Sequence, residues 1–324
     1  MKSEDTYQEP LVSIITPTYN RPEYLKVALE SALKQRYGNI EIIVSDNCSS
    51  QNPQPIIESF KDSRIRFSRN ESNLGMFPNT MKAFKMARGK YVASLLDDDM
   101  WEEDFLAKLV PPLEANSDLV LAFCDHYMMD ADGEIDVALS EHCSELFNRK
   151  DLSEGVYQPF YKVALVDRAV STATAALMRR SVIDWESIPP EVGGSWDIYL
   201  NYLYSRTLKG AYYCPEKLTR YRVHEQTDTM QSGGRNSQAK IRKAKADIFC
   251  YEKFMSDESL RELKPYFQEQ WGHISTTLGI GLMRSQQLEA ARPYFWRSLK
   301  QKVSLRTMTA LLISFTTPSI AAKF

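Results

Sequence analysis

The stretch YVASLLDDD, residues 91–99, contains both the fold signal and the first candidate site. A mainly apolar run leads directly into three adjacent carboxylates, and a short apolar run of this kind predicts a buried β-strand. Similar runs at residues 11–15 and 40–45 precede it, with apolar residues at helical spacing between them. The alternation of strands and helices predicts an α/β fold with a doubly wound, mostly parallel sheet.

Polar residues follow each of these predicted strands. They are the segment Thr16–Asn20, the single carboxylate Asp46, and the acidic triplet. Because ligands bind at the carboxyl ends of parallel strands, the topology predicts that all three segments lie on one edge of the sheet. In isolation, Asp46 is more typical of an Asx turn than of a ligand contact, and Thr16–Asn20 is more typical of a strand-to-helix turn.

The acidic triplet consists of Asp97, Asp98 and Asp99. Three adjacent anions at the end of a buried strand are costly unless a cation is bound. Carboxylate oxygens are suitable ligands for Mg²⁺ or Mn²⁺, which also bridge to phosphate oxygens. The alternative is a solvated acidic loop that caps the next helix. The position of the triplet after a buried strand favours the ligand site.

Two further candidates lie in the second half of the chain. Asp197 follows Gly-Gly-Ser-Trp at the start of a predicted helix, where a carboxylate could act as a general base or simply favour the first helical turn. Arg222 could neutralise an anionic leaving group, and His224 could ligate a metal or contact phosphate, although a lone histidine is more often structural.

Composition excludes several classes of protein. The chain has 324 residues, 40 basic and 42 acidic side chains and a net charge of −2, so nothing predicts a nucleic-acid partner. Five cysteines without a CxxC pair argue against a zinc site or a disulfide framework and predict a reducing compartment. The N-terminal residues lack the apolar segment of a signal peptide, and we expect a cytoplasmic protein.

The chain divides into three predicted regions. Residues 1–10 are expected to be flexible, residues 11–235 to form the catalytic domain, and residues 236–324 to form a helical C-terminal region. Within the middle region, residues 11–125 and 126–235 are two halves. We also expect Pro111-Pro112 to break a helix that starts near residue 104, and residues 210–214 and 218–223 to be two separate strands.

The apolar segment Thr307–Phe324 leaves two interpretations open. It could pack on the catalytic domain, or it could make a peripheral contact with the inner face of a membrane. Oligomer formation also stays open, because nothing in the sequence decides it.

Taken in order, the motifs resemble the family 2 glycosyltransferases of the GT-A fold. The resemblance is strong over residues 11–125 and looser to about residue 228. The matching segments are Val12–Pro22, Leu29–Gln35, Glu41–Ser50, Asn73–Gly75, Ala87–Tyr91 and Leu95–Asp99.

The resemblance implies a role for each candidate residue. Residues implied to border the donor nucleotide are Thr16, Pro17, Tyr19, Asp46 and Arg69. Asp97 and Asp98 would hold the donor, with Asp99 as the direct metal ligand. Asp197 would be the catalytic base, although many members have Glu-Asp where this chain has Trp196-Asp197. Arg222 and His224 match an Arg-x-His near the diphosphate, with His224 as a second metal ligand.

The resemblance also implies an activity. It predicts an inverting transferase that moves one sugar from a nucleotide-sugar, a UDP-sugar in the first instance, to a hydroxyl of a glycan, a lipid-linked acceptor or a cell-surface polysaccharide. Mn²⁺ or Mg²⁺ would be the cofactor. The Gln-x-x-Arg-Trp motif of processive members is absent from the sequence, which predicts a single addition. Two alternatives stay open: a sugar nucleotidyltransferase, and a non-catalytic glycan- or partner-binding protein with a degenerate domain.

Overall fold

The computed structural model describes residues 8–224 and 236–316, which form two compact units. The first unit contains the described residues up to Ile188 together with Leu208–Arg222, and the second contains Pro189–Thr207 together with the described residues from Val223 onward. The grouping differs from a single cut at residue 235, because the chain returns to the first unit between residues 208 and 222. The predicted domain bounds stay a prediction, and residues 1–7 of the predicted flexible N-terminus lie outside the described residues.

The first unit is built on one mixed β-sheet. The strand bounds are β1 Val12–Thr18, β2 Ile40–Asp46, β3 Ile65–Arg69, β4 Tyr91–Ser94, β5 Met100–Trp101, β6 Leu119–Met129, β7 Ile135–Asp136, β8 Gly155–Tyr157, β9 Ala176–Arg179 and β10 Gly210–Arg222. Their order across the sheet is β3-β2-β1-β4-β9-β6-β10-β5, with β7 beside β6 and β8 beside β10.

Strands β1 to β4 form the parallel half of the sheet that the sequence predicts. Val12 lies opposite Ile40 on one side and Tyr91 on the other, so the three apolar runs stand in register. Strand β9 is antiparallel to both β4 and β6, and β6 and β10 are parallel to each other. The prediction of an α/β fold with a mostly parallel sheet is confirmed.

Strand β1 is longer than the sequence predicts, because it continues through Pro17 to Thr18. Its pairing with β2 extends to the end, whereas its pairing with β4 stops at Ile15. A proline has no N–H to donate, and it is tolerated where one side of the strand has no neighbour.

Helices flank the sheet of the first unit. Their bounds are α1 Pro22–Leu33, α2 Gln54–Ser59, α3 Met76–Met86, α4 Phe105–Ala115 and α5 Val137–Leu146. The prediction that Pro111-Pro112 breaks α4 is wrong, since the helix runs through both prolines. Buried Leu109, Val110 and Leu113 explain the continuation, because their packing in the core offsets the lost backbone hydrogen bonds.

The prediction of two strands at residues 210–214 and 218–223 is also wrong. β10 is one strand, and it pairs along its length with β6 through register shifts between Cys214 and Thr219. Pro215 lies within the shifted segment, where the ladder does not require its N–H. The bulged strand therefore carries the chain without interruption to Arg222.

A buried ionic cluster joins β6, β10 and the segment after α5. Arg149 is 2% exposed, and its Nε donates to Asp125 Oδ1 at 2.6 Å. Lys217 Nζ lies 3.1 Å from Asp125 Oδ2, and the Ser144 hydroxyl donates to the same oxygen. Although burial acts in the opposite direction, the Arg149 charge and these contacts lower the pKa of Asp125. Burial and the Arg149 charge lower the pKa of His126 to about 3, so this histidine is neutral.

The second unit is helical. Its helices are α6 Trp196–Ser205, α7 Ser237–Met255, α8 Lys264–Arg284, α9 Leu288–Gln301 and α10 Leu305–Ile313. A hydrophobic core between α7, α8, α9 and α10 includes Phe295 and Leu311. Gly279 lies against the Phe295 ring, where a Cβ atom would overlap it, so close packing of α8 on α9 requires this glycine. Across residues 8–224 and 236–316, no helix is long and apolar enough to cross a bilayer.

We predict that Arg149→Met destabilises the first unit by about 3 kcal/mol, because it leaves the buried Asp125 carboxylate without its closest cation. Urea unfolding followed by circular dichroism measures the change. Lys150→Met is the matched control: Lys150 is the exposed neighbour, pairs with Glu145 on the surface, and should leave the unfolding midpoint nearly unchanged. Equal midpoints for the two variants would contradict a stabilising role for the cluster.

Candidate functional site

The acidic triplet lies at the carboxyl edge of the parallel strands and contacts the end of β1. The Thr18 hydroxyl donates to Asp97 Oδ2 at 2.8 Å, and the Tyr19 N–H donates to the same oxygen at 3.3 Å. Asp97, Asp98 and Asp99 are 5, 7 and 2% exposed, respectively. The structure therefore brings together the segments that follow β1 and β4.

Arg21 is the counter-ion of the first two carboxylates. Its Nη1 lies 2.7 Å from Asp98 Oδ2 and 3.2 Å from Asp97 Oδ1. The residue directly precedes α1, which begins at Pro22. Sequence reasoning missed Arg21, although it lies within the quoted segment Val12–Pro22; the only available signal was its place at the end of a polar strand-to-helix loop.

Asp99 has different partners. Its Oδ1 accepts the backbone N–H of Arg222 at 3.0 Å, and its Oδ2 accepts the Thr174 hydroxyl at 3.3 Å. Both of these donors are neutral, whereas Asp97 and Asp98 form ion pairs with Arg21. Thr174, just before β9, is a second residue that sequence reasoning missed.

The electrostatics of the triplet favour binding of a cation. Burial and the neighbouring Asp98 charge raise the pKa of Asp97 to about 7, despite Arg21 and Thr18, which act in the opposite direction. Burial and Asp98 also raise the pKa of Asp99 well above its usual range. A positive charge nearby stabilises carboxylates in this situation.

The donor set suits Mg²⁺ or Mn²⁺ that arrives with a ligand. In residues 8–224 and 236–316, no group of three or more His, Cys, Asp or Glu side chains is arranged as a metal cage. Mg²⁺ is commonly bound through one or two carboxylates together with substrate phosphates, so a preformed cage is not required. Asp99, a buried carboxylate that accepts hydrogen bonds from two neutral donors, fits such an ion.

Asp46 and Arg69 meet at the neighbouring part of the same edge. Arg69 Nη1 lies 3.0 Å from Asp46 Oδ2, and Arg69 Nη2 donates to the Ser49 carbonyl at 2.7 Å. The Ser49 N–H and hydroxyl also donate to the Asp46 carboxylate. These contacts join the ends of β2 and β3 and fix the Asp46 side chain, which is completely buried.

The remaining residues predicted to border the base differ in exposure. Thr16 is completely buried, and its hydroxyl has no hydrogen-bond partner among the described atoms. Pro17 is partly exposed, whereas Tyr19 is 43% exposed. Of the side chains in this segment, the Tyr19 ring is therefore the one best placed to stack on a planar ligand.

Arg222 has a positioning role in this structure. It is 3% exposed; its Nε donates to the Asp98 carbonyl at 2.8 Å, and its Nη1 donates to the carbonyls of Asp130 and Ala131. The guanidinium lies 4.6 Å from the centre of the Tyr24 ring. Arg222 thus fixes the backbone around Asp98 and Asp99, and its predicted contact with a diphosphate stays a prediction.

Asp197 belongs to the second unit, in the first turn of α6. The preceding loop contains Gly193 at φ +47°, a backbone conformation that favours glycine. Helix α7 holds this loop: the Ser195 hydroxyl donates to Asp247 Oδ1 at 2.6 Å, and Lys243 Nζ donates to the Gly194 carbonyl at 3.1 Å. Asp197 is partly exposed on a helix whose neighbouring residues are mostly buried.

His224 also belongs to the second unit, two residues beyond the end of β10, and is partly exposed. The functions predicted for His224 and Asp197 stay predictions. No sequence signal identified Lys243 and Asp247, because their contact with the Asp197 loop joins segments about fifty residues apart.

Comparisons with known proteins agree with this architecture. The family model described as Glycosyl transferase family 2 matches residues 13–184. TarS from S. aureus, solved with UDP-GlcNAc, superposes with a TM-score of 0.63 at 14% identity, covering 90% of this chain and 88% of that one. The mannosyltransferase PcManGT from Pyrobaculum calidifontis, solved with GDP-Man and Mn²⁺, gives a TM-score of 0.57 at 17% identity, covering 98% and 87%. At these identities the superpositions support the fold alone.

A relative in sequence is WfgD from Escherichia coli, named as a UDP-Glc:alpha-D-GlcNAc-diphosphoundecaprenol beta-1,3-glucosyltransferase. It is 41% identical over 91 residues, which cover 28% of this chain and 36% of that protein. The chain spans about half or less of the length of the curated relatives it matches. The family model itself covers more than half of the chain, and its match begins in β1 and includes the acidic triplet. The chain belongs to glycosyl transferase family 2.

Proposed function

We propose that this protein transfers one sugar from a nucleotide-diphosphate sugar, a UDP-sugar in the first instance, to a hydroxyl of a glycan, lipid-linked or polysaccharide acceptor. The observation that carries the proposal is the buried triplet Asp97–Asp99 at the carboxyl edge of a parallel sheet. Arg21 forms ion pairs with Asp97 and Asp98 of this triplet. The UDP-sugar and the lipid-linked acceptor in the name of a relative support the choice of donor and acceptor.

In the proposed complex, the donor diphosphate lies beside Asp99 and the nucleobase of the donor lies toward Tyr19. Mn²⁺ or Mg²⁺ on Asp99, with His224 as a further ligand, would offset the charge that develops on the leaving diphosphate. Asp97 and Asp98, fixed by Arg21 and Thr18, orient the donor and lower the entropic part of the barrier. Mn²⁺ in a solved structure of the same fold supports a metal of this kind.

The proposed reaction inverts the anomeric centre in one displacement. Asp197 accepts the proton of the acceptor hydroxyl, whose oxygen forms a bond to C1 as the bond from C1 to the diphosphate breaks on the opposite side. The products are the glycosylated acceptor and a nucleoside diphosphate. The loop held by Lys243 and Asp247 limits the motion of Asp197, which favours a defined position for the base.

A screen of nucleotide sugars tests the activity itself. We expect Mn²⁺-dependent release of a nucleoside diphosphate from at least one donor, measured by ion-exchange chromatography of the products. Release of pyrophosphate in a parallel reaction, supplied with a nucleoside triphosphate and a sugar 1-phosphate, would identify a nucleotidyltransferase instead. A chain that binds a glycan but turns over no donor would support the non-catalytic alternative.

Asp99→Asn separates a ligand site from a structural role. We expect the variant to lose about tenfold or more in Mn²⁺-dependent affinity for UDP, measured by calorimetry. In EDTA we expect it to be as stable as the wild type or about 1 kcal/mol more stable, because a buried charge is removed while both hydrogen bonds can be kept. Asp118→Asn, an exposed carboxylate in the same unit, is the control. Reduced stability with unchanged Mn²⁺-dependent affinity would contradict the metal role.

Asp197→Asn tests the base. We expect the turnover number to fall by about 10²- to 10⁴-fold with donor affinity unchanged, because only proton transfer is lost. Glu191→Gln is the matched control, since Glu191 is an exposed carboxylate in the same loop segment, Pro190–Ser195. Transfer by Asp197→Asn at close to the wild-type rate would reject Asp197 as the base.

A further inference from the structure

Helix α10 has apolar side chains on two of its faces. Its inner face is buried through Thr307, Ala310 and Leu311, and it packs on α8 and α9. The outer face, which extends one turn past the helix, is also apolar. Its side chains are Leu305, Met308, Leu312 and Phe315, at 81, 43, 69 and 60% exposure. Steps of three and four residues place them in one stripe, where a surface helix is ordinarily polar.

Helix α9 widens this stripe. Arg292, near the start of α9, donates to the Ser314 carbonyl at 3.0 Å and lies 4.4 Å from the centre of the Phe315 ring. Trp296 is one helical turn further along the same face of α9 and is 53% exposed. Val303, between the two helices, is 72% exposed. We call Trp296, Val303, Leu305, Met308, Leu312 and Phe315 the α9–α10 apolar surface.

The charges around this surface are mainly basic, although Glu289 is exposed in the first turn of α9. Between residues 292 and 316 the chain has five basic side chains and no acidic one: Arg292, Arg297, Lys300, Lys302 and Arg306. Lys302 pairs with Glu269 of α8, whereas Arg297, Lys300 and Arg306 are exposed. Burial and the nearby charges of Arg284 and Arg306 lower the pKa of Lys240 on α7. Basic side chains are therefore also close together beside the start of α10.

We propose that the α9–α10 apolar surface docks on an anionic lipid bilayer, with the apolar side chains in the headgroup region and the basic side chains against the lipid phosphates. Trp, Phe and Leu on one face, with Lys and Arg at the edges, are the features of helices that lie in a membrane interface. A bilayer offers an extended, uniformly negative surface, which complements a mainly basic rim. The inference goes beyond the proposed transferase activity and does not depend on it.

Flotation of the full chain with vesicles tests the inference. The probes are phosphatidylcholine vesicles with and without roughly 30% phosphatidylglycerol, because juxtamembrane cations respond to anionic lipid. We expect the wild-type chain to float with the anionic vesicles, to float weakly with the neutral ones, and to be released as salt increases.

A double variant and a triple variant separate the apolar and electrostatic contributions to vesicle binding. Leu305→Ser with Leu312→Ser should weaken binding to anionic vesicles by about tenfold or more, because two leucines no longer enter the interface. Arg297→Gln with Lys300→Gln and Arg306→Gln should weaken it by a similar factor. All five side chains are exposed, so the variants should keep the wild-type melting curve.

Val137→Ser with Leu146→Ser is the matched control. These side chains are 65 and 63% exposed on α5 of the first unit, and their loss should leave flotation unchanged. The inference is overturned if the wild-type chain stays with the soluble fraction, or if all variants float equally. It is also overturned if sedimentation shows self-association that the leucine variant abolishes while no vesicle binds, since a second copy of the chain would then cover the surface.

Because flotation requires no donor sugar, its result is independent of the transferase assay. A chain that floats but turns over no nucleotide sugar would leave this inference standing and contradict the proposed function. A chain that turns over donor but fails to float would support the proposed function and contradict this inference.

Discussion

The site depends on the cost of removing three adjacent carboxylates from water at the end of β4. Arg21 offsets the charge of the first two, and hydrogen bonds from Thr18 and from the Arg222 backbone stabilise the triplet further. These partners come from β1, the loop before α1, and β10, which the sheet brings together. The compensation is incomplete, because Asp97 and Asp99 keep pKa values well above those of ordinary carboxyl groups. We propose that a positively charged ion or ligand completes it, so that this edge is a binding site rather than a surface loop.

Other features of the structure preserve this arrangement. The bulged strand β10 carries Arg222 to the triplet, and the Arg222 guanidinium fixes the backbone of Asp98 and of the turn after β6. Arg69 and Ser49 hold Asp46 in the same way at the ends of β2 and β3. The polar groups at this edge are therefore mostly held by one another. Keeping like charges together in a fixed geometry costs stability, as is common where a site must receive a charged ligand.

The parallel half of the sheet and the place of the acidic triplet could be predicted from the sequence, because β-branched runs that end in polar residues are local signals. The partners of the triplet could not. Thr18 is 79 residues from Asp97 in sequence, and Arg222 is 123 residues from Asp99. No local sequence pattern predicts either contact. The prediction that Pro111-Pro112 breaks α4 failed for the opposite reason, because packing in the core overrode a strong local signal. The roles of Asp197 and His224 depend on the second unit and stay predictions.

The most direct test of the central claim is the position of the metal. Crystals grown with UDP and Mn²⁺ would be measured at the manganese absorption edge, and an anomalous difference map calculated. The account predicts a peak within direct coordination distance of a carboxylate oxygen of Asp99 and beside the diphosphate of UDP. A peak that lies away from Asp99, or UDP bound in the same pocket with no manganese, would contradict it.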